Sequence, residues 1–484
     1  MANTRPTDPT ADNARKVKRR VYALAIAAAV GGFLFGFDSS VINGAVGAIE
    51  EEFALGAGIQ GFAVAIALIG CAVGAVFAGG LADRYGRLRV MLIGGILFFV
   101  SAVGSGFSFG VVDFMIWRLV GGFGIGVASV VAPTYIAEVV PAAVRGRLAS
   151  LQQLAITVGI FSALLSNALL AGIGDENPLR ELLFGLPAWR WMFLVEAVPA
   201  VLYAVLALTL PESPRYLMIK DREDDARAVL ATVQPTAEID DEVARITKNI
   251  TEDRENAKKA SLAGSALGLA PVVWIGLALS VFQQFVGINV IFYYSTTLWN
   301  TVGFQDAFLI SVFTSVVNVA VTFVAIAIVD KVGRRPMLLA GSIGMAVTLA
   351  AMALSFTQAE TVDGALTLPQ PWGLVALVGA NLFVVSFGAT WGPLVWVLLG
   401  EIFPNRIRGK ALGVAAAAQW IANFLVTLTF PILSEFSLGV TYGLYAVFAV
   451  LSFLFVLLFV PETKGVRLED VGGLVFGRAK KAAS

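Results

Sequence analysis

Three amide side chains lie within one apolar and uncharged run of the sequence, residues 282–294. A buried amide without a hydrogen-bond partner costs roughly 1–3 kcal/mol, so Gln283, Gln284 and Asn289 require partners in the protein, in a water-filled cavity or on a ligand. On a continuous helix Gln284 and Asn289 are about 140° apart around the axis, and Gln283 and Tyr293 flank them. This spacing predicts one broad polar wall that faces a neutral ligand at the depth of a bilayer.

Asp38 has the chemistry of a proton carrier. It is the only acidic residue between Val21 and Ile49, and it lies about 25 Å along a helix that begins at Val21. A carboxyl group inside a membrane span is a functional hypothesis by default. The alternative for Asp38 is a position at the outer surface of the membrane. An apolar environment favours the neutral carboxyl and a nearby cation favours the charged one, so an arginine that moves would switch Asp38 between the two forms. The sequence has no histidine, which leaves proton transfer to carboxylates.

Amide and aromatic side chains also interrupt other apolar stretches, at Gln153, Asn318, Trp396, Gln419 and Trp420. An indole offers a flat apolar face and one N–H donor, and an amide both donates and accepts. For Gln153 the alternative is a helix-to-helix hydrogen bond, and for Trp396 it is a place in the aromatic belt at the membrane interface. An anionic ligand would require several buried cations, and we identify only Arg118.

The composition is that of a polytopic membrane protein. Hydrophobic residues make up 58% of the chain, charged residues make up 14%, and the mean hydropathy is +0.81, which excludes a soluble enzyme. The 34 basic residues balance the 34 acidic ones, so the net charge gives no argument for nucleic-acid binding. Cys71 is the only cysteine and is expected to be a small packing residue. We expect no metal site, no cofactor and no catalytic residues.

Twelve apolar runs are long enough to cross a membrane. They cover residues 21–48, 60–81, 90–110, 112–136, 148–172, 191–210, 268–298, 306–329, 337–356, 372–400, 411–433 and 438–460. The basic residues concentrate in alternate loops, so the positive-inside rule places both termini in the cytoplasm. The first 20 residues are polar and no cleavage site follows the first apolar run, so we expect no removable signal peptide.

Three charged motifs occur twice and in the same order. Asp83 to Arg87 recurs as Asp330 to Arg334, Glu138 to Arg145 recurs as Glu401 to Arg408, and Pro211-Glu212-Ser213 recurs as Pro461-Glu462-Thr463. The repeat predicts an all-α membrane protein with two six-helix halves in the same orientation, as in transporters whose site lies between the halves. The expected organisation is a tail at 1–20, halves at 21–210 and 266–464, a linker with short helices at 211–265, and a tail at 465–484.

Five motifs together carry a family resemblance. They are Phe35-Gly36-Phe37-Asp38, Pro211-Glu212-Ser213-Pro214-Arg215, Gln283-Gln284-Phe285-Val286-Gly287-Ile288-Asn289, Gly333-Arg334-Arg335 and Pro461-Glu462-Thr463-Lys464-Gly465. From about residue 23 to 465 the chain resembles the sugar porter family of the major facilitator superfamily. The resemblance implies a twelve-helix transporter that works by alternating access. Gly86-Arg87-Leu88-Arg89 departs from the adjacent arginines that are frequent in the family, and this difference concerns the gate rather than the ligand.

The resemblance also implies roles for individual residues. Asp38 corresponds to the proton-coupling aspartate of the family and Arg118 to its arginine partner; the alternative for Arg118, roughly 9 Å deep in its span, is snorkelling to the interface. The family's sugar contacts map onto Gln153, Gln283, Gln284, Asn289, Asn318, Trp396 and Gln419, with Phe35 and Tyr293 beside them, and we include Gly392 and Trp420. A sugar hydroxyl, like a neutral amide, both donates and accepts.

The charged motifs are expected to form a cytoplasmic gate. By resemblance, a salt-bridge network holds the outward-facing state and breaks when the protein opens inward; the alternative is charge that only sets topology. The residues are Asp83, Arg87, Glu138, Arg145, Glu212, Arg215, Asp330, Arg334, Arg335, Glu401, Arg408 and Glu462. Individual exposed pairs contribute only about 0–1 kcal/mol, which suits a switch between states of similar energy.

The resulting hypothesis is a proton-coupled symporter that imports a monosaccharide. Ile160 and Phe292 favour a hexose such as glucose or galactose, because glucose facilitators are apolar at these positions and the bacterial xylose symporter has a glutamine at the first. The alternatives are a facilitative uniporter and a proton-coupled myo-inositol or pentose transporter. The expected partners are a neutral sugar, a proton and the lipid bilayer, with no nucleic acid. We expect a monomer in the bacterial inner membrane.

Overall fold

The computed structural model describes residues 9–259, 261–362, 365–404 and 407–464. A few side chains inside the helices, including those of Arg145 and Asp330, lie outside the description, as do the predicted tail at 465–484 and the first eight residues of the predicted tail at 1–20. Residues 9–20 form the start of the first helix.

The described chain is almost entirely helical. The helices are α1 Pro9–Val41, α2 Val46–Glu52, α3 Ala57–Tyr85, α4 Arg87–Gly106, α5 Val111–Val139, α6 Ala142–Ile173, α7 Ala188–Leu194, α8 Ala197–Thr209, α9 Pro214–Ile219, α10 Glu223–Val233, α11 Ile239–Lys259, α12 Pro271–Phe285, α13 Ile288–Thr301, α14 Ala307–Val332, α15 Arg334–Phe356, α16 Trp372–Gly388, α17 Trp391–Ile402, α18 Arg408–Phe436 and α19 Leu438–Phe459. Short 3-10 turns occur at Ile42–Gly44, Leu183–Gly185 and Thr236–Glu238. The strands are β1 Ala263–Ala266, β2 Glu360–Val362 and β3 Ala365–Thr367, and β2 pairs antiparallel with β3.

Twelve helical segments in the described part of the chain are long and apolar enough to cross a membrane, which confirms the predicted number. Each overlaps one predicted run, with ends that differ by several residues. Eight are single helices, and the first consists of α1 and the 3-10 turn Ile42–Gly44. The other three consist of two helices each, α7 with α8, α12 with α13, and α16 with α17. The range 211–265 contains α9, α10, α11 and β1, and Leu230, Ile239, Val243 and Ile246 form a small apolar core there.

The expected continuous helix over residues 282–294 is wrong, because the chain breaks at Gly287. This glycine has a φ of 82°, in the left-handed region that residues with a Cβ rarely adopt. A Cβ on Gly287 would also lie 2.5 Å from the ring of Tyr445. The amides of α12 and Asn289 of α13 therefore do not share one helix face.

The tenth span consists of two helices with a break between them. Helix α16 ends at Gly388 and α17 begins at Trp391. Pro393 lies in the first turn of α17, where its missing N–H has no intrahelical partner to lose. The sixth span is interrupted for a related reason, since Pro199 cannot donate to the carbonyl of Val195, and the N–H of Val198 donates to it instead at 3.1 Å.

Glycines allow the backbones of α3 and α5 to cross closely. A Cβ on Gly122 would lie 1.9 Å from the carbonyl oxygen of Ala67, and one on Gly74 would lie 2.3 Å from that of Phe123. The two halves meet in a similar way, because a Cβ on Gly61 of α3 would lie 2.3 Å from the carbonyl oxygen of Leu428 in α18. These glycines therefore serve the packing of helices against each other.

We predict that Gly86→Ala destabilises the protein. Gly86 precedes α4 with a φ of 96°, and a Cβ there would lie 2.3 Å from Oε2 of Glu212. The strained backbone alone costs about 1–3 kcal/mol, so the melting temperature in detergent should fall by several degrees. Gly79→Ala is the matched control, since a Cβ on Gly79 has no atom within 4 Å. Equal melting of the two variants would contradict the requirement for glycine at position 86.

Candidate functional site

A buried ion pair connects α1 and α5. Nη1 of Arg118 donates to Oδ1 of Asp38, and Nη2 donates to the backbone carbonyl of Asp38 at 3.1 Å. Both side chains are buried. Removing one member of such a pair typically costs 3–5 kcal/mol, because the other charge stays buried and uncompensated. The structure thus brings together the two residues that the sequence singles out for proton coupling.

Glu196 is a second buried acid at the same place, and the sequence analysis missed it. It lies in the interrupted turn between α7 and α8, it is buried, and neither carboxylate oxygen has a hydrogen-bond partner among the described residues. It is close enough to Asp38 and Arg118 to interact electrostatically with both. The signal was present in the sequence, because Glu196 is the only acid between Arg190 and Glu212, the criterion that identified Asp38.

A small cavity links the ion pair to predicted ligand residues. Arg118 lines it together with Phe35, Tyr293 and Trp420, and Cys71 and Ser39 also contribute. Its volume is about 10 Å³, roughly that of one water molecule, so this cavity is too small for a sugar. The rings of Phe35 and Trp420 are 5.6 Å apart and come from different halves. Arg118 and three ligand candidates therefore surround one space.

The three amides of the seventh span form a chain of hydrogen bonds instead of a wall. Nδ2 of Asn289 donates to Oε1 of Gln284 at 2.6 Å, and Nε2 of Gln284 is 3.4 Å from Oε1 of Gln283. Nε2 of Gln283 donates to the carbonyls of Trp391 and Gly392 at 3.0 and 3.1 Å. The chain spans the break at Gly287 and ties α12 to the first turn of α17.

The remaining ligand candidates occupy different environments. Oε1 of Gln419 is buried without a partner among the described residues. Thr157 donates to the carbonyl of Gln153 at 2.7 Å, Thr322 donates to the carbonyl of Asn318 at 2.9 Å, and the two threonine hydroxyls are 3.3 Å apart across the halves. Trp396 is 41% exposed and does not line the small cavity.

At the end of the bundle opposite the charged motifs, Asn43 joins the two halves. Its Nδ2 donates to the carbonyl of Phe292 and to Oγ of Ser295, both at 2.9 Å. Thr296 donates to Asn43 through its N–H at 3.3 Å and its hydroxyl at 2.5 Å. All four bonds are buried, and the sequence analysis did not predict them.

At the motif end, the first copy of the motifs forms a network within its own half. Arg87 donates twice to Glu138 at 2.9 Å and pairs with Asp83 at 3.1 Å. Glu212 accepts from the backbone N–H of Arg87 at 3.1 Å, and Arg215 lies 3.8 Å from Glu138.

The second copy repeats this geometry. Arg334 donates to Glu401 at 3.0 Å, and Glu462 accepts from the N–H groups of Arg334 and Arg335 at 3.1 Å. Arg408 donates to the carbonyl of Phe403 at 3.2 Å. The predicted gate residues Arg145 and Asp330 have side chains outside the described part.

The chain matches the family described as "Sugar (and other) transporter" over residues 24–474. It belongs to this sugar transporter family. It is 52% identical over 450 residues to a glucose transport protein of Synechocystis sp.. These aligned residues cover 92% of this chain and 95% of that protein. It is 37% identical over 497 residues to the D-xylose-proton symporter of Escherichia coli K12, covering 95% and 97% of the two chains.

The fold agrees with the family. The inward-open structure of the E. coli xylose transporter superimposes with a TM-score of 0.81 at 36% identity, over 94% of this chain and 99% of that one. The predicted twelve-helix major facilitator fold is therefore confirmed, and this sugar transporter is an integral multi-pass membrane protein and not an enzyme.

We predict that Asn43→Ala opens the end of the bundle opposite the motifs. Each lost hydrogen bond contributes about 1 kcal/mol, so the population open at that end should increase about tenfold or more. Spin labels on the exposed residues Glu51 and Asn300, in a background without Cys71, would show a longer distance. Asn167→Ala is the control, because Asn167 donates at 2.9 Å to Val41 within the same half. Unchanged distances in Asn43→Ala would exclude this role.

Proposed function

We propose that this protein is a proton-coupled symporter that imports a monosaccharide, a hexose such as glucose or galactose, by alternating access. The observation that carries the proposal is the buried Asp38–Arg118 pair at a cavity lined by Phe35, Tyr293 and Trp420. A relative with 52% identity is named as a glucose transport protein, and another is named as a D-xylose-proton symporter. These names support the sugar and the coupling ion respectively.

In this proposal, proton binding changes the charges that surround Arg118. A proton that binds Asp38 converts an anion into a neutral acid and removes the counterion of Arg118. Glu196, buried without a hydrogen-bond partner among the described residues, is a second carboxyl group within electrostatic reach of the guanidinium. Release of the proton restores the Asp38–Arg118 pair. A buried guanidinium is costly without a counterion, so loss of the Asp38 charge frees Arg118 to move.

Sugar recognition rests on amides contributed by both halves. Gln153 comes from the first half, and Gln283, Gln284, Asn289, Asn318 and Gln419 come from the second. An amide that loses its sugar partner stays buried and unpaired, which discriminates against ligands without the matching hydroxyl. In the structure Gln284 and Asn289 bond to each other, so the sugar would replace these mutual bonds as the halves close around it. Gly392 and Trp396 then complete the wall from the tenth span.

The conformation corresponds to an inward-facing state in this proposal. The end closed by Asn43 is the outer end, and the motif end, which carries the basic loops, faces the cytoplasm together with both termini. The inward-open relative supports this assignment through its TM-score of 0.81. The motif networks connect helices of single halves here, and in the outward-facing state they would also hold the halves together. We further propose a monomer in a bacterial inner membrane.

Uptake into proteoliposomes tests substrate and coupling together. Labelled glucose, galactose, xylose and myo-inositol would be supplied with and without an imposed inward proton gradient. We expect glucose or galactose to accumulate above equilibrium only with the gradient. Equilibration that the gradient does not change would instead establish a uniporter, and accumulation of xylose or myo-inositol alone would overturn the hexose assignment.

Asp38→Asn should uncouple sugar movement from the proton. The amide is nearly isosteric and cannot be protonated in this range, so sugar exchange should persist while gradient-driven accumulation falls to equilibrium. The control is Asp113→Asn, because Asp113 accepts an exposed hydrogen bond from the Phe109 N–H at 3.0 Å and lies outside the pair. Accumulation by Asp38→Asn at the level of the control would refute the assignment of Asp38.

A further inference from the structure

The guanidinium of Arg118 has a second neighbour that carries no charge. Cζ of Arg118 lies 5.5 Å from the ring centroid of Phe193 in α7, and both side chains are buried. This distance is within the range of about 6 Å in which an aromatic face attracts a cation, and the attraction strengthens when the pair is desolvated. Glu196 follows Phe193 by three residues, in the turn after α7, and its N–H donates to the carbonyl of Phe193 at 3.0 Å.

The ring of Phe193 is itself held in place by other aromatic rings. It is 5.4 Å from the ring of Phe114 at 73° and 6.3 Å from that of Trp189 at 86°. Nε1 of Trp189 donates to Glu52 at 2.6 Å, and Arg190 donates to the other oxygen of Glu52 at 2.6 Å. Edge-to-face packing and a hydrogen-bonded indole leave the ring of Phe193 little freedom to turn.

An aromatic face and a carboxylate attract the guanidinium of Arg118 by different interactions. The guanidinium uses N–H groups to bind Asp38, whereas an aromatic ring attracts it through its quadrupole and takes no N–H donor away. The ring is also indifferent to pH, since it has no proton to gain or lose. Its pull on Arg118 is therefore the same whether Asp38 is ionised or protonated.

We propose that Phe193 is a positioning residue for Arg118 and sets the pH at which the coupling site binds its proton. The inference rests on the proposed function in that it assigns the pH response to the Asp38 site. By keeping the guanidinium beside Asp38, the ring favours the ionised carboxylate. Without the ring, Arg118 is held less firmly beside Asp38, so we expect the pH profile of transport to move to higher pH.

The test compares pH profiles of sugar exchange and of gradient-driven uptake for two changes at position 193. Phe193→Met keeps an apolar side chain that adapts to the space but removes the ring. Replacement by 3,4,5-trifluorophenylalanine keeps the shape of the ring and weakens the negative charge of its face. We expect both to raise the pH of half-maximal activity by about half a unit to one unit. The maximal exchange rate should change little.

Phe356→Met is the matched control, because Phe356 is a buried ring in the second half that packs against Tyr442 at 5.0 Å. Its pH profile should match that of the wild type. A wild-type profile for the trifluorophenylalanine protein together with a shifted profile for Phe193→Met would reduce Phe193 to a packing residue and overturn the proposal.

A substrate-free measurement separates this inference from the proposed function. The pH dependence of the melting temperature of the purified protein also reports proton binding at a buried ion pair. If the wild type accumulates no sugar, the proposed function fails, and the melting profiles still decide the role of Phe193. The expected result is a displaced profile for both changes at position 193, and coincident profiles for all variants would contradict it.

Discussion

The structure depends on one constraint, the burial of an ion pair inside the first half. Each ion alone would cost several kcal/mol to remove from water, so Asp38 and Arg118 must remain close. Small residues make this possible, since a Cβ on Gly121 would lie 2.9 Å from Oδ2 of Asp38 and 2.3 Å from Oγ of Ser101. Glu196 adds a second acid to the site, so the cation has two possible counterions.

Interruptions of the spans occur where polar groups collect. The backbone inside a bilayer must satisfy its own hydrogen bonds, and a broken helix is tolerated where protein groups compensate. Glu196 lies in the turn loosened by Pro199, and the amides of the seventh span flank Gly287. Gln283 donates to two carbonyls in the first turn of α17, so one polar chain stabilises the breaks of two spans.

The two ends of the bundle are built from different interactions. The contact through Asn43 joins the halves with neutral, buried hydrogen bonds, whose geometry is strict and which contain no titratable group. The motif end uses ion pairs that are internal to one half, namely the nearly buried pair of Arg87 with Glu138 and the more exposed pair of Arg334 with Glu401. Because neither pair joins the halves, neither opposes their separation at that end.

The sequence by itself determined the twelve spans, the duplicated halves and the buried position of Asp38, because hydrophobic length and an isolated charge are local properties that burial in a membrane makes costly to violate. The pairing of Asn43 with α13, the proximity of Glu196 and Phe193 to Arg118, and the chain of amides across Gly287 were decided only by the tertiary structure. These features depend on which helix faces meet, and residues as far apart in the chain as Asn43 and Thr296 meet only when both halves have packed.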